Sequence, residues 1–224
     1  MISCCPVTTP VISLGGSIFS KEGERYLEAF ISGIKKERKY AIVVGGGPQA
    51  RERISWLRKM RVGEYQLDMM GIHFTRVNAL SLSLALGEIE EVPTTIDAAV
   101  RDFKIYGKVI MGGTEPGHTT DAVSLLLAEA IGSRTVINVT NVDGLYDRNP
   151  DDPGARRLKE ASYVRAIKMI SEEKRRAGAN FPLDILSLNI ARRSEIKIKI
   201  VSFKDMENVF NCIKGKKYEG TVIG

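Results

Sequence analysis

The sequence has few residues of the kinds that build disulfide frameworks or zinc sites. Its 224 residues include two histidines and three cysteines, of which Cys4 and Cys5 are adjacent and Cys212 is far away. This number and spacing do not fit a disulfide framework or a zinc site, and they favour free thiols in a reducing compartment. No apolar run approaches the roughly 20 residues of a membrane helix. We therefore expect a cytoplasmic protein with no membrane partner.

The first ten residues lack the basic segment and the long apolar segment of a signal peptide. We expect residues 1–10 to form an N-terminal tail and residues 11–224 to form a single domain. Hydrophobic residues make up 43% of the chain and charged residues 27%. These proportions are typical of a globular protein with a substantial core.

The net charge of +6 does not by itself indicate a nucleic-acid partner. Basic residues come in the runs 35–39, 172–176 and 214–217, and the first two, which are mixed with acids, fit solvated helix ends. Aromatic residues, which stack on bases in many nucleic-acid sites, are only 7% of the chain and do not interleave with these runs. We expect no nucleic-acid partner.

Glycine-rich turns follow three predicted strands. The mostly apolar runs 11–14, 41–44 and 109–111 are followed by Gly15-Gly16-Ser17, Gly45-Gly46-Gly47 and Gly112-Gly113-Thr114. The last of these turns continues to Thr120, a predicted helix N-cap, and to the apolar helix pattern 122–131. Glycine lets backbone N–H groups approach an anion, and a helix N-terminus adds its positive dipole end. One such turn is equally compatible with a tight connection that binds no ligand. Three of them favour a phosphate-rich ligand, or two phosphorylated ligands side by side.

Strand and helix patterns alternate along the chain. This alternation predicts an α/β fold, a three-layer α/β/α sandwich with a mainly parallel central sheet. In such sheets the turns at the carboxyl ends of the strands gather on one edge, where ligands bind. The pattern G-x-G-x-x-G of dinucleotide sites is absent. A short strand is predicted at 89–92, and the apolar helix pattern 67–86 is predicted to pack on the sheet or on another subunit.

Several motifs together resemble a known family. They are V-I-S-L-G-G-S, V-V-G-G-G, D-M-M-G-I, G-G-T-E-P-G-H-T-T-D-A and T-N-V-D-G-L-Y-D-R-N-P. In this order they resemble the archaeal-type uridylate kinases of the amino acid kinase family, from about Val11 to the C-terminal G-T-V-I. The resemblance implies transfer of the γ-phosphoryl group of ATP to UMP, with Mg²⁺ carried by ATP rather than held directly by the protein. It also implies a homohexamer built from dimers, an acceptor-binding lobe at about 11–132 and an ATP-binding lobe at about 133–224.

The resemblance also implies roles for individual residues. The catalytic residues would be Asp121, Gly16 and Arg51. The ATP side would be formed by Gly15, Gly16, Ser17, Gly47, Arg51, Thr140, Asn141, Tyr146 and Asn149. The UMP side would be formed by Gly46, Asp68, Thr114, Glu115, Pro116, Gly117, His118, Thr119 and Thr120. From position alone, Arg51 is equally compatible with a surface arginine, and Asp68 and Asp121 with acids that stabilise the start of a helix.

Three positions depart from the family pattern. Ser13 stands where bacterial-type members carry a lysine, Asn149 where an acid is expected after Tyr146, and Asn189 where a late lysine is common. Lys21 or Lys108 is a candidate for the replacement cation. Two alternatives to UMP kinase stay open: a member of the same family with another phosphate acceptor, such as isopentenyl phosphate, carbamate or an amino acid, and a nucleotide-binding protein that transfers nothing.

Overall fold

A mostly parallel sheet with helices on both faces forms the centre of the molecule. The structure, a computed structural model, describes residues 9–88, 91–148, 152–173 and 183–224. In chain order, the described elements are β1 Val11–Leu14, a 3-10 helix Gly16–Phe19, α1 Glu24–Ile34, β2 Tyr40–Val44, α2 Gly47–Lys59, α3 Glu64–Leu86, α4 Ile96–Tyr106, β3 Lys108–Met111, α5 Thr120–Ile131, β4 Thr135–Thr140, β5 Leu145–Tyr146, β6 Arg157–Leu158, β7 Glu160–Ala161, α6 Tyr163–Glu173, α7 Ile185–Ser194, β8 Lys197–Ser202, α8 Met206–Ile213 and β9 Thr221–Ile223.

The order of strands in the main sheet is β3-β2-β1-β4-β8-β9-β7. From β3 to β8 all neighbours are parallel, with Val11 of β1 opposite Ala41 of β2 and Val136 of β4. Strand β9 runs antiparallel to β8 and parallel to β7, while β5 and β6 form a separate antiparallel pair. The carboxyl ends of β3, β2, β1 and β4 therefore lie side by side on one edge, and the predicted fold class is confirmed.

Alternation along the central strands creates two cores. Val11, Ala41 and Val43 belong to one buried cluster with residues of α4, α5, α6 and α7. Their neighbours Ile12 and Ile42 belong to a second cluster with residues of α1, α3 and α8. Successive side chains of a strand point to opposite faces, so both faces of these strands are covered by helices. The result is the expected three-layer sandwich.

Some local predictions need correction. The predicted strand 89–92 is wrong for Glu91 and Val92, which lie outside any strand, and residues 89–90 lie outside the described residues. The N-cap of α5 is Thr119 rather than Thr120, since the Thr119 side chain accepts the Ala122 N–H. The two hydroxyls are adjacent, and only the backbone conformation decides which one caps. The two-residue strands β5, β6 and β7 were not predicted.

Lys108 is not a replacement cation at the glycine turns. It starts β3, so it lies at the amino end of the strand, whereas the glycine turns follow the carboxyl ends. Its Nζ pairs with the Glu88 carboxylate at 2.7 Å, and Glu88 also accepts the Tyr40 hydroxyl at 2.8 Å. Lys21 lies exposed in the turn after the 3-10 helix, and its role stays a prediction.

Candidate functional site

The first two glycine turns are packed backbone against backbone. We refer to residues 15–17, 45–47 and 112–119 as loops 1, 2 and 3. A Cβ atom added to Gly16 would lie 2.1 Å from the Gly47 nitrogen, and one added to Gly45 would lie 2.6 Å from the Gly16 nitrogen. On its other side, loop 1 is fixed by the Gly15 N–H, which donates to the Val139 carbonyl of β4 at 2.8 Å. These contacts require residues without side chains, so the glycines of loops 1 and 2 have a structural reason to be there.

Loop 3 reaches the same edge through helix α3. The Thr75 hydroxyl accepts the Gly113 N–H at 2.7 Å, and a Cβ on Gly112 would lie 2.6 Å from that hydroxyl oxygen. Loop 2 touches the same part of α3, since a Cβ on Gly46 would lie 3.6 Å from the Thr75 methyl carbon. The three turns that the sequence singled out therefore meet on one edge of the sheet.

Two helices begin at these turns. Helix α2 starts at Gly47, directly after its N-cap Gly46, and α5 starts at Thr120 after loop 3. The first N–H groups of a helix have no partner within the helix, and the dipole makes this end positive. The edge is therefore suited to anions such as phosphate.

A carboxylate cluster lies beside loop 3, around Asp121 in the first turn of α5. Its Oδ1 accepts the Ser13 hydroxyl of β1 at 2.8 Å and the Asn138 amide of β4 at 3.2 Å. Burial raises the pKa of the Asp121 carboxyl to about 7; the hydrogen bond from Ser13 opposes this shift and the negative charge of Asp184 adds to it. Ser13 thus stands where bacterial-type members carry a lysine, and it contacts the predicted catalytic acid by a hydrogen bond rather than by charge.

Asp184 connects the second half of the chain to this cluster. It caps α7 by accepting the Ser187 N–H at 2.9 Å, and its other oxygen accepts the hydroxyl of Thr119. Thr119 in turn caps α5. One hydrogen bond therefore couples the N-termini of α5 and α7, and it places a second carboxylate near Asp121.

Most of the predicted acceptor-side residues come together around loop 3. Thr114, Glu115, Pro116, Gly117, His118 and Thr119 form the loop, and Thr120 opens α5. Asp68, near the start of α3, accepts the Gly117 N–H at 2.8 Å although the two residues are 49 positions apart. Gly46 belongs to loop 2, beside α3. The structure groups these residues, and their binding roles stay predictions.

The predicted donor-side residues are spread more widely. Gly15, Gly16, Ser17 and Gly47 lie in loops 1 and 2, and Arg51 is exposed on α2. Thr140 ends β4 and donates its hydroxyl to Asn141 at 3.3 Å. The Tyr146 hydroxyl donates to Asp143 at 3.0 Å, and Asp143 also pairs with Arg157. Asn149 lies outside the described residues, and the roles of the others stay predictions.

Sequence reasoning missed several residues that build the site by long-range contacts. It recognised Ser13 only as a departure from the family pattern, and it did not single out Asp184. The others are Thr75, Arg76, Asn78 and Asn138. For Asp184, an acid directly before a helix pattern is an N-cap signal. For the rest, the sequence offers no local pattern that marks them.

Comparison with known proteins places the chain in a family. The sequence model of the amino acid kinase family matches residues 8–202. A uridylate kinase of Thermoplasma acidophilum is 44% identical over 219 residues, which cover 95% of each chain. A uridylate kinase of Archaeoglobus fulgidus is 39% identical over 217 residues, covering 95% of this chain and 98% of the relative. The chain therefore belongs to the amino acid kinase family.

Solved structures agree with this assignment. The crystal structure of uridylate kinase from Archaeoglobus fulgidus superimposes with a TM-score of 0.84 at 38% identity, over 97% of this chain and all of the other. A UMP kinase from Bacillus anthracis superimposes with a TM-score of 0.75 at 18% identity, over 98% of this chain and 97% of the other, and supports the fold alone.

Proposed function

We propose that the protein is a UMP kinase, which transfers the γ-phosphoryl group of ATP to UMP and forms UDP and ADP. The observation that carries the proposal is the meeting of loops 1, 2 and 3 on one sheet edge, in a chain 44% identical to a uridylate kinase over 95% of its length. Phosphoryl transfer requires two phosphorylated groups held in line and their negative charge neutralised, and it requires little covalent chemistry from the protein.

The proposed division of the site follows the positions of the loops. Loop 1, between loop 2 and the end of β4, would hold the ATP phosphates together with Gly47 and Arg51. Loop 3, Asp68 and Gly46 would hold UMP on the α3 side. Because loops 1 and 2 touch, the donor and acceptor phosphates would lie end to end across that contact.

The residues present fit a magnesium ion that arrives with ATP. Mg²⁺ usually takes most of its ligands from phosphate oxygens and water and only one or two from carboxylates. The described residues contain no group of three or more potential His, Cys, Asp or Glu ligands, which agrees with an ion held mainly by ATP, and the Asp121 and Asp184 carboxylates beside loop 3 can accept hydrogen bonds from its water shell. The ion would neutralise charge on the phosphates, and Asp121 and Asp184 would hold its shell.

An ADP-release assay with separate phosphate acceptors tests the proposal. We expect turnover with UMP, and much less with CMP, dUMP or isopentenyl phosphate. Isopentenyl phosphate kinases place a histidine shortly after the glycine triplet, whereas here Pro48, Gln49, Ala50 and Arg51 follow. Turnover with another acceptor only would replace UMP in the proposal. Binding of nucleotides without turnover by the purified chain would refute the enzymatic function.

We also propose that the chain assembles into a homohexamer through α3. Large apolar side chains are exposed on this helix: Tyr65 at 63%, Val77 at 59% and Leu84 at 55%. Such side chains on one helix mark a surface that a partner can cover. Light scattering should give six times 24.7 kDa, about 148 kDa, and Leu84→Asp should lower this mass. A monomeric wild-type protein would contradict the assembly.

The cellular compartment is a separate part of the proposal. We propose that the enzyme acts in the cytoplasm, where thiols stay reduced. Cys212 is a buried free cysteine, as predicted, while Cys4 and Cys5 lie outside the described residues. No helix in the described ranges has both the length and the apolar character needed to cross a membrane.

A further inference from the structure

Helix α3 binds the backbone carbonyl groups of loops 2 and 3 through two side chains. The Asn78 amide nitrogen donates to the carbonyl oxygens of Gly45 at 2.8 Å and Gly46 at 3.1 Å. The Arg76 guanidinium donates to the carbonyl oxygens of Gly113 and Thr114, both at 3.1 Å. Its Nη2 also reaches the Thr94 carbonyl at 3.4 Å. In each of the two loops, two consecutive backbone carbonyl groups are thus turned toward α3.

The orientation of these carbonyls fixes the orientation of four N–H groups. In a planar trans peptide the N–H points away from the C=O of the same unit. The carbonyls of Gly45 and Gly46 share peptide units with the N–H groups of Gly46 and Gly47. Likewise, the carbonyls of Gly113 and Thr114 share units with the N–H groups of Thr114 and Glu115. Holding the carbonyls against α3 therefore turns these N–H groups away from α3.

The same four N–H groups are available to a ligand. Within the described ranges, they donate to no other backbone or side-chain acceptor. A backbone N–H without a partner is costly unless water or a ligand satisfies it. A carbonyl oxygen facing the site would repel phosphate, whereas an N–H attracts it. The two loops are therefore anion sites only while their carbonyls stay against α3.

We propose that Arg76 and Asn78 are positioning residues of the phosphate-binding loops, acting through the peptide groups they hold rather than by touching the nucleotides. Arg76 positions loop 3, and Asn78 positions loop 2. They are two residues apart on one rigid helix, about 3 Å along its axis, so α3 also fixes the spacing between the two loops. This inference rests on the proposed function for the identity of the two nucleotides.

The proposal assigns different consequences to the two residues. Of the three loops, Arg76 is hydrogen-bonded to loop 3 alone among the described residues, so its substitution should weaken UMP binding and leave ATP binding nearly unchanged. Asn78 holds the peptide groups that present the N–H of Gly46, on the UMP side, and of Gly47, on the ATP side. Substitution of Asn78 should therefore weaken the binding of both nucleotides. A general loss of structure would not separate the two ligands in this way.

The test measures UMP and ATP affinity by calorimetry, and KM and kcat for both, in four variants of the full chain. Arg76→Lys keeps the charge but loses the planar fork that reaches several carbonyls, and Arg76→Met loses both. We expect both variants to bind UMP about tenfold more weakly, because one or two hydrogen bonds to phosphate would be misplaced. Asn78→Leu should lower the affinities for UMP and for ATP by similar factors. Ser171→Ala is the control, since Ser171 is exposed on α6 rather than on α3 and its hydroxyl donates to the Ile167 carbonyl of its own helix.

The outcomes separate positioning from charge and from folding. If Arg76→Lys keeps wild-type UMP affinity while Arg76→Met loses it, the guanidinium acts by charge and the proposal is overturned. Equal loss of UMP and ATP affinity in the Arg76 variants also overturns it. Should Asn78→Leu fail to fold, Asn78→Ser retains one donor and is expected to give an intermediate loss. A wild type that binds ATP but not UMP refutes the proposed function, and the ATP affinity of the Asn78 variants then still tests the positioning role.

Discussion

Replacing Asp121 by asparagine should stabilise the ligand-free protein at neutral and alkaline pH. Asparagine has nearly the same shape as aspartate, and its Oδ1 can still accept the hydrogen bonds from Ser13 and Asn138. What disappears is a negative charge that is partly buried and lies near a second negative charge, Asp184. The wild-type protein gives up this stability for the sake of function, because Asp121 is a predicted catalytic residue. The same substitution should lower kcat.

The magnitude follows from the pKa of Asp121, which rises from its usual 3.8 to about 7. At about 1.4 kcal/mol per pKa unit, this difference sets an upper limit of about 4 kcal/mol. Water reaches part of the side chain, so we expect about 1–3 kcal/mol. Between pH 4 and 7 the folded state holds a proton that the unfolded state has lost. Wild-type stability from this group therefore falls as pH rises through this window and is constant above it.

Urea unfolding of both proteins at pH 4.5, 6 and 8.5 measures the effect. Protein concentration must be equal throughout, since an oligomer gains apparent stability with concentration. The difference in the free energy of unfolding should be smallest at pH 4.5, where the folded-state carboxyl is still protonated and the unfolded-state carboxyl is already partly ionised, and the variant should gain its full advantage by pH 8.5. Titrating groups far from Asp121 contribute equally to both proteins and cancel in the difference, whereas the repulsion between Asp121 and Asp184 is part of the effect that is measured.

A difference that does not change with pH would refute this reasoning, because it would show that the Asp121 charge is not destabilised in the folded state. An asparagine variant that is less stable at pH 8.5 would show that the carboxylate makes favourable interactions that an amide cannot replace. Ser13→Ala is a useful companion. It removes a hydrogen bond that favours the ionised form, so it should raise the pKa of Asp121 further.

Two other substitutions test the placement of the loops. Asp68→Ala should raise the KM for UMP much more than the KM for ATP, because Asp68 accepts the N–H of Gly117 in loop 3. If steady-state kinetics showed an effect mainly on the KM for ATP, the assignment of Asp68 to the UMP side would be wrong. Gly16→Ala would put a Cβ 2.1 Å from the Gly47 nitrogen, so it should cost about 1–3 kcal/mol of stability and, by separating loops 1 and 2, about 100-fold in kcat/KM. Gly63→Ala is the control in melting and turnover assays, since among the described residues the added Cβ would meet only the flexible Gln66 side chain, at 2.8 Å. If Gly16→Ala behaved like the wild type, the close contact of loops 1 and 2 would be contradicted.

The strands and the glycine turns were predictable because their signals are local. Strands β1, β2 and β3 are short, mostly apolar runs that are followed directly by glycine. Once the strands are parallel, geometry alone brings their carboxyl ends to one edge. The strand predicted at 89–92 failed at Glu91 and Val92 because a stretch of four residues, of which two are glutamates, is too short to establish a strand period. Strands of two residues, such as β5 and β6, show no periodicity at all.

The side chains that organise the site were not predictable in the same way. Ser13 and Asp121 are 108 positions apart, and Thr119 and Asp184 are 65 apart. No spacing in the sequence marks such pairs, because they depend on which strands become neighbours and how helices cross the sheet. The order β2-β1-β4 puts Ser13 beside Asn138, directly opposite in the register, and both then reach Asp121.

The proposed phosphate site contains two acids, and the charges around it give a physical reason for them. Loops 2 and 3 present N–H groups and helix N-termini, which attract phosphate, but Asp121 and Asp184 repel it. A site meant only to bind anions would gain affinity by losing both acids. Their presence is reasonable if a cation accompanies the phosphates, because each carboxylate then helps to hold that cation and no longer opposes the ligand. Ser13 and Asn138 fit the same view, since both are neutral donors that orient Asp121 without neutralising it, whereas a lysine at position 13 would compete with the cation for its charge.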